Sequence, residues 1–361
     1  MKKYKVVSLF SGCGGLDLGL EQANFEVIWA NDVEKSVVET YNYNIGNIVQ
    51  KDIQKIHENE IPDCDVITAG FPCQPFSSAG NRKGLEDERG NLFQECIRVI
   101  KAKKPKVIIF ENVRGILSIK NLDGSFLIDT IIYLLENLNP GYNVTYKLLK
   151  ASDYGVPQQR YRVIFVGFRK DLNIHYEFPK PTHSSNDKSL TVGNIIDVPD
   201  ELPNQKDVWK LSPQSSKLIP YISEGGSWKD IPYELLPERL KKIKDNMKKY
   251  RAPNFYRRFA RHEINGTITA AATPEKCGII HPLENRRYSV REIARIQSFP
   301  DDFVFLGDSI SAKYKMIGNA VPPMLGKVIG ESIFDLLKSA KSNNIDDSLK
   351  VDINGELLFN L

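Results

Sequence analysis

The chain has 361 residues, 41% of them hydrophobic and 26% charged, with 24 glycines and 20 prolines, a balance typical of globular domains that excludes collagen-like, low-complexity and mostly disordered chains. No apolar run reaches the roughly 18 residues of a membrane span, and the stretch 4–10 after Met1-Lys2-Lys3 is too short for a secretory core, so a soluble intracellular protein with one large domain and an insertion, or two domains, is expected. The net charge of +4 is modest, but residues 239–261 hold ten Lys or Arg against one acidic residue, Asp245, so a polyanionic partner has to be considered.

Short β-branched runs alternate with helical-period stretches through the first half. Residues 5–10 read as a buried strand, followed by a glycine turn and a helix opened by Leu16, Leu18, Leu20 and Ala23. Strands are expected at 26–30, 65–69 and 107–110, the last two separated by a helix whose apolar face is Leu92, Phe93, Cys96, Ile97 and Ile100. A helix from Ser125 carries Phe126, Leu127, Ile131, Leu134, Leu135 and Leu138, and 162–168 resumes a strand. This order implies an α/β fold with a mostly parallel, doubly wound sheet and ligand sites at the C-terminal strand ends.

From about 179 to 285 periodicity is weak, and Pro, Ser, Lys and isolated aromatics dominate, which reads as a second, loop-rich domain. Ser289-Val290-Arg291-Glu292 is a capping-box signature for a short helix ending near Phe299-Pro300. Pro322-Pro323 starts another, with Leu325, Val328, Ile329, Ile333, Leu336 and Leu337 on its core side. Asn354-Gly355 between Val351/Ile353 and Leu357/Phe359 is a hairpin signal.

The first strand runs into Phe10-Ser11-Gly12-Cys13-Gly14-Gly15, where a cofactor can approach bare backbone. Asp17 occupies the place of a third glycine and would repel a pyrophosphate, while Asp32 ends the second strand 18 residues after Gly14, where a carboxylate accepts from ribose hydroxyls. A nucleoside cofactor without phosphates, such as S-adenosylmethionine, fits this pair better than a dinucleotide. At the next strand end, Gly70-Phe71-Pro72-Cys73-Gln74 places a cysteine where a nucleophile would stand, although an isolated cysteine is more often a small buried apolar residue. The segment 80–91 reads as a cationic loop beside it, or as a solvated connector. One strand further, Glu111 emerges from an apolar run, where desolvation can make a carboxyl an acid near neutrality. Arg160 and Arg162, read as sharing a strand face, suit an anionic or carbonyl-bearing substrate. Five widely spaced cysteines without a C-x-x-C pair, and five histidines without ligand spacing, indicate neither a disulfide framework nor a metal site.

Taken together, Phe10-x-Gly12-x-Gly14-Gly15, Gly70-Phe71-Pro72-Cys73-Gln74, Glu111-Asn112-Val113, Gln158-x-Arg160-x-Arg162, Arg291-Glu292-x-Ala294-Arg295-x-Gln297-x-Phe299-Pro300 and Gly318-Asn319-Ala320-Val321-Pro322 resemble the motifs of the DNA cytosine-5 methyltransferases. Six motifs in one order, across roughly 5–170 and 286–335, make the resemblance specific.

The resemblance implies a Rossmann-like, S-adenosylmethionine-dependent catalytic domain (1–178 and 305–340), a target-recognition domain (179–285), a hinge segment (286–304) and a C-terminal appendage (341–361). It makes Cys73 the nucleophile toward cytosine carbon 6, Glu111 the partner of ring nitrogen 3, and Arg162 with Arg160 the holders of the cytosine carbonyl oxygen. Phe10 would lie against adenine or the sulfonium, Gly12, Gly14 and Gly15 near the methionine moiety, and Asp32 on the ribose. Asp52, Pro72, Leu92 and Asn319 would line the remaining pocket. The loop 80–91 would close over a flipped base, with Arg89 near phosphate. Within the recognition segment Lys248, Lys249, Arg257 and Arg258 are expected to track phosphates, and Thr267 and Thr269 in 265–277 to read a groove, unless that stretch is merely a packed core strand. The expected partner is double-stranded DNA, with a restriction endonuclease as functional counterpart without required contact. A monomer in the bacterial cytoplasm, associated with the nucleoid, is expected. A tRNA cytosine methyltransferase is the nearest rival. A nicotinamide-dependent oxidoreductase and a non-catalytic DNA-binding module are more distant ones.

Overall fold

A computed structural model describes residues 3–71, 91–121, 123–184, 187–246 and 254–348. Its elements in chain order are β1 (Tyr4–Leu9), α1 (Gly15–Gln22), β2 (Phe25–Asp32), α2 (Lys35–Asn44), β3 (Ile48–Gln50), β4 (Val66–Ala69), α3 (Asn91–Lys103), β5 (Val107–Val113), α4 (Leu127–Glu136), β6 (Tyr142–Lys150), β7 (Gln158–Gln159) and β8 (Tyr161–Arg169). There follow α5 (Val192–Ile195), α6 (Pro213–Leu218), α7 (Glu238–Asp245), β9 (Asn265–Gly266), α8 (Val290–Ile296), α9 (Ile310–Asn319) and α10 (Pro323–Ser348).

Seven strands form one sheet in the order β3-β2-β1-β4-β5-β8-β6. The first five pair in parallel; β8 runs antiparallel to both β5 and β6, so it alone is reversed. The chain order turns between β1 and β4, the switch point where ligands bind in open α/β sheets. The mostly parallel α/β reading therefore holds. The sequence expectation passed over α2, β3 and β6: β3 has three residues, and β6 has only two fully buried residues in nine, so its apolar alternation is weak.

Alternation sorts the strands between two apolar layers. Val7, Leu9, Ile67, Ala69, Ile108, Phe110, Val163 and Phe165 meet α3 and α4. Val6, Val66, Val107, Ile109, Ile164, Val166 and Phe168 meet α1 and α10. On α10, Leu325, Ile329, Ile333 and Leu337 are buried at helical spacing. A Cβ on Gly19 would collide with the backbone of Pro323 and Lys327, so α1 and α10 pack this closely only because that residue is glycine. α10 runs on through Ser348, so position 341 is not the end of an element; the 354–355 hairpin lies outside the described residues.

A third core joins the two halves of the chain. Cys13, Ala30, Val37, Tyr41 and Ile48 pack with Phe259, Ile268, Cys277, Ile279, Tyr288 and the apolar faces of α8 and α9. Asn44 exchanges hydrogen bonds with the backbone of Val304, and Thr40 accepts from the Leu306 amide. Ser289 caps α8 through a complete capping box with Glu292, as the sequence signature indicated. A smaller cluster of Leu218, Ile222, Trp228, Ile231, Leu240 and Tyr256 stands apart. The apolar packing thus divides within 179–285 as well as at its ends. Among the described residues no helix is long and apolar enough to cross a membrane, and no group of three or more His, Cys, Asp or Glu could hold a metal ion.

Candidate active site

A cavity of about 740 Å³ opens at the C-terminal ends of β1, β2, β4 and β5, between the sheet and the end of α9. Its floor follows from strand alternation. The face of the sheet that is apolar lower down at Val6, Val66 and Ile109 becomes polar at the rim, where Ser8, Thr68, Glu111 and Arg162 line the cavity in that spatial order. The same parity that buries a strand base thus presents polar groups at its end.

At the β1 end of this row the chain makes a tight turn. Phe10 has φ 55° and Gly14 φ 86°. Gly14 heads α1 with its backbone, and a Cβ there would collide with Tyr41 and Ile45. It does not line the cavity, whereas Phe10, Gly12 and Gly15 do. The Ser11 amide donates to the Asn31 carbonyl (3.0 Å), and the Asp32 carboxylate accepts from the Gly12 amide (2.8 Å) and the Glu34 amide (2.8 Å). Asp32 is therefore fixed at the cavity wall as both an anchor of the turn and an acceptor; burial pushes its pKa up.

Asp17 turns inward instead of facing solvent at the first turn of α1. It is 1% exposed and accepts from the hydroxyls of Ser8 (2.8 Å) and Tyr41 (2.7 Å). Desolvation pushes its pKa up to about 6 against those two hydrogen bonds. Asp52 caps the turn Ile53–Lys55 by accepting from the Gln54 amide (3.1 Å), and it lines the cavity with Leu92 and Asn319.

At the other end, Glu111 Oε1 lies 2.5 Å from Arg162 Nε, with the two side chains 12% and 10% exposed. Arg162 stands opposite Val113 in the antiparallel β5/β8 ladder, so Glu111 is its diagonal neighbour on the same face. Glu111, at the end of an apolar run, is thus one half of a buried ion pair with Arg162. Arg162 also donates from Nη1 to the Tyr161 carbonyl (2.8 Å), and burial lowers its pKa while Glu111 opposes the shift.

Arg160 is elsewhere. It occupies the break between β7 and β8, where alternation does not carry over, and does not share the cavity with Arg162. Wholly buried, it donates to the carbonyls of Ile268 (2.9 Å) and Gly318 (2.8 Å). Its neighbour Gln158 accepts from the Ile268 amide (3.0 Å) and donates to Gln297 (2.5 Å), which in turn donates to the Ala320 carbonyl (2.6 Å). These motif side chains tie four distant segments together on either side of Asn319. The pair Arg160/Arg162 is thus one scaffold residue and one cavity residue.

The basic stretch is also corrected in part. Arg258 is buried, with its guanidinium donating to Asn285 Oδ1 (2.7 Å) and to the Ile219 carbonyl (3.3 Å). Arg257 is held by both carboxylate oxygens of Glu263 (2.6 and 2.9 Å) and lies over the Phe259 ring. Both guanidiniums are thus engaged within the chain. Thr267 donates to the Gln159 carbonyl (2.8 Å), and the Thr269 hydroxyl is buried, within a stretch whose Asn265, Ile268, Ala272 and Cys277 are core residues. Pro72, Cys73, Arg89, Lys248, Lys249 and the loop 80–90 lie outside the described residues.

Sequence reasoning did not single out Thr68, Glu34 or Lys315. The last two form an ion pair (2.6 Å) at the cavity wall that joins the start of α2 to α9. The signal available for Thr68 was its parity with Ser8 and Glu111 in aligned strands. Among the described residues the lining holds five carboxylates, Asp17, Asp32, Glu34, Asp52 and Glu111, against Lys51, Lys315 and Arg162. Each of those cations is already paired, Lys51 with Glu60 (3.3 Å), Lys315 with Glu34 and Arg162 with Glu111. Such a wall suits a cationic nucleoside and disfavours a pyrophosphate.

A family model described as C-5 cytosine-specific DNA methylase matches residues 4–335. The type II methyltransferase M.NgoFVII of Neisseria gonorrhoeae is 39% identical over 99% of this chain and 91% of its own length. The type II methyltransferase M.FnuDI of Fusobacterium nucleatum is 37% identical over 98% and 99%. Among solved structures, the Entamoeba histolytica methyltransferase EhMeth superposes with a TM-score of 0.60 at 19% identity, covering 93% of this chain and 99% of that one. The Schizosaccharomyces pombe Dnmt2 methyltransferase gives 0.58 at 20%, with the same coverage. At such identities the likeness concerns the fold.

Proposed function

The chain belongs to the C-5 cytosine-specific DNA methylases, and from that premise we propose that it methylates carbon 5 of cytosine within a specific double-stranded DNA sequence, using S-adenosylmethionine, base flipping and a transient Cys73 adduct. We assign it the protective half of a restriction-modification pair, with no contact to the endonuclease required. The observation that carries this reading is a cavity in which an acidic nucleoside-sized wall runs into the Glu111–Arg162 pair.

S-adenosylmethionine, when bound, supplies an electrophilic methyl group on a sulfonium. The residues present fit it: Asp32 faces the cavity as an acceptor for ribose hydroxyls, Phe10, Gly12 and Gly15 provide the turn, and Asp52, Leu92 and Asn319 close the wall. The chain's own task is to make carbon 5 nucleophilic. The Cys73 thiolate adds to carbon 6, so its electron pair enters the ring. Arg162, held by Glu111, stabilises the charge that develops on the cytosine carbonyl oxygen, and Glu111, once protonated, donates a hydrogen bond or its proton to ring nitrogen 3. Once carbon 5 carries the methyl group, loss of its proton to a base restores the 5,6 double bond and expels the Cys73 thiolate. A stacked base cannot be attacked perpendicular to its ring, so the cytosine has to leave the duplex, at a cost of a few kcal/mol recovered in protein contacts.

Incubation with unmethylated genomic DNA followed by bisulfite sequencing tests the activity: methylation of one sequence context is expected, and no 5-methylcytosine in any context would refute it. DNA carrying 5-fluorocytosine, which has no proton to lose at carbon 5, is expected to trap a denaturation-resistant complex with the wild type but not with Cys73→Ala. A Cys73→Ala protein that still methylates would remove Cys73 from the reaction.

A further inference from the structure

Among the described residues, every hydroxyl along the floor of the cavity but one is engaged. Ser8 donates to Asp17, and Ser11 donates to the Ser8 carbonyl (3.0 Å) and Ser8 Oγ (2.9 Å). Thr68 Oγ1 lines the cavity yet is buried and has no hydrogen-bond partner among the described residues. An unpaired buried hydroxyl carries an uncompensated desolvation penalty, which a ligand that pairs with it removes.

Its position narrows the ligand group. Thr68 is the register partner of Ser8 in the parallel β1/β4 pair, so their side chains stand next to each other on one face about 4.8 Å apart. Asp17 is therefore one hydroxyl away from Thr68. Gly70, two residues on and on the same face, lies beside Glu111: a Cβ there would be 3.7 Å from Glu111 Oε2. Thr68 thus sits between the anionic Asp17 network and the reacting end of the cavity. Each Asp17 oxygen accepts one hydrogen bond and keeps a free lone pair. A cation at this place would satisfy Thr68 as an acceptor and offset the desolvation that raises the Asp17 pKa.

We propose that Thr68, with the Asp17 carboxylate beside it, receives the ammonium group of the cofactor's amino-acid end and so selects a nucleoside that carries an intact amino acid. The inference rests on the reading that the cavity takes S-adenosylmethionine. Thr68 is a binding residue here, and Asp17 and Ser8 complete its surroundings.

The test is a calorimetric comparison of two ligands on the full chain. S-adenosylhomocysteine carries the amino acid, and 5′-methylthioadenosine has the same nucleoside and thioether without it. Thr68→Val keeps the shape and removes the hydroxyl. It is expected to weaken S-adenosylhomocysteine about tenfold or more, the weight of a hydrogen bond to a charged group, while 5′-methylthioadenosine stays within a factor of two. Thr68→Ser is expected to retain the wild-type affinities, and Asp17→Asn to weaken S-adenosylhomocysteine selectively. Equal weakening of both ligands by Thr68→Val, or none of either, overturns the assignment. So does wild-type protein that binds the two ligands equally well. Wild-type protein that binds neither ligand refutes the cofactor reading instead, which separates the two failures.

Discussion

Replacing Arg160 by lysine separates a scaffold role from a catalytic one. The arginine is wholly buried, and its fork spans two carbonyls from opposite sides of the sequence, Ile268 (2.9 Å) and Gly318 (2.8 Å). Lysine keeps the charge and most of the stem, but its ammonium is more strongly hydrated than a guanidinium, so burial does not favour it. Its single nitrogen cannot span both oxygens, and one buried carbonyl loses a charged donor, worth about 1.5–3 kcal/mol. For a chain of 361 residues that corresponds to a fall in Tm of about 2 to 4 °C. Because Gly318 precedes Asn319 in the cavity wall, cofactor affinity is expected to fall severalfold as well. Arg162→Lys, at a cavity residue paired with Glu111, is expected to lower turnover while leaving cofactor affinity near wild type. Thermal unfolding by circular dichroism, cofactor titration and a methyl-transfer assay on both variants decide the matter. Arg160→Lys with an unchanged Tm, unchanged cofactor affinity and a hundredfold loss of turnover would show that Arg160 touches the flipped base and that the scaffold reasoning is wrong.

Asp32→Ala removes both the ribose acceptor and the anchor of the Gly12 and Glu34 amides; cofactor binding should weaken by about 1–3 kcal/mol with DNA affinity nearly unchanged, and calorimetry showing unaltered cofactor affinity would take Asp32 out of the site. Asp17 has its pKa raised from 3.8 to about 6 by burial, in the presence of Ser8, Tyr41 and the nearby Glu21. The folded state then binds its proton more tightly than the unfolded chain, so this contribution to stability is fully present below about pH 3.8 and is lost as the pH rises through about 6. The Tm difference between wild type and Asp17→Asn is therefore expected to move against the wild type between pH 5 and pH 7, and a difference constant across that window would contradict a raised Asp17 pKa.

Much of the site was legible because strand parity is a local property. Val6 and Ser8, Val66 and Thr68, and Ile109 and Glu111 are spaced by two in short apolar runs, so the sequence by itself determined that polar groups crown one buried face. The capping box at Ser289–Glu292, the proline start of α10 and the glycine turn before α1 are likewise set by neighbours within four residues. What only the tertiary structure decided depends on partners far along the chain. Arg160 and Arg162 look equivalent in sequence, yet a break in the strand sends one to carbonyls at 268 and 318 and the other to Glu111. Arg258 belongs to a charge run that reads as an exposed face, but it is buried because the carbonyls and amide that satisfy it come from Ile219, Pro282 and Asn285. Asp17 entered the sequence reading only as an obstacle to phosphate, and became a buried acceptor once α2 brought Tyr41 to it. A guanidinium or carboxylate takes its role from whichever distant donor or acceptor the fold delivers, and no periodicity within the segment encodes that partner.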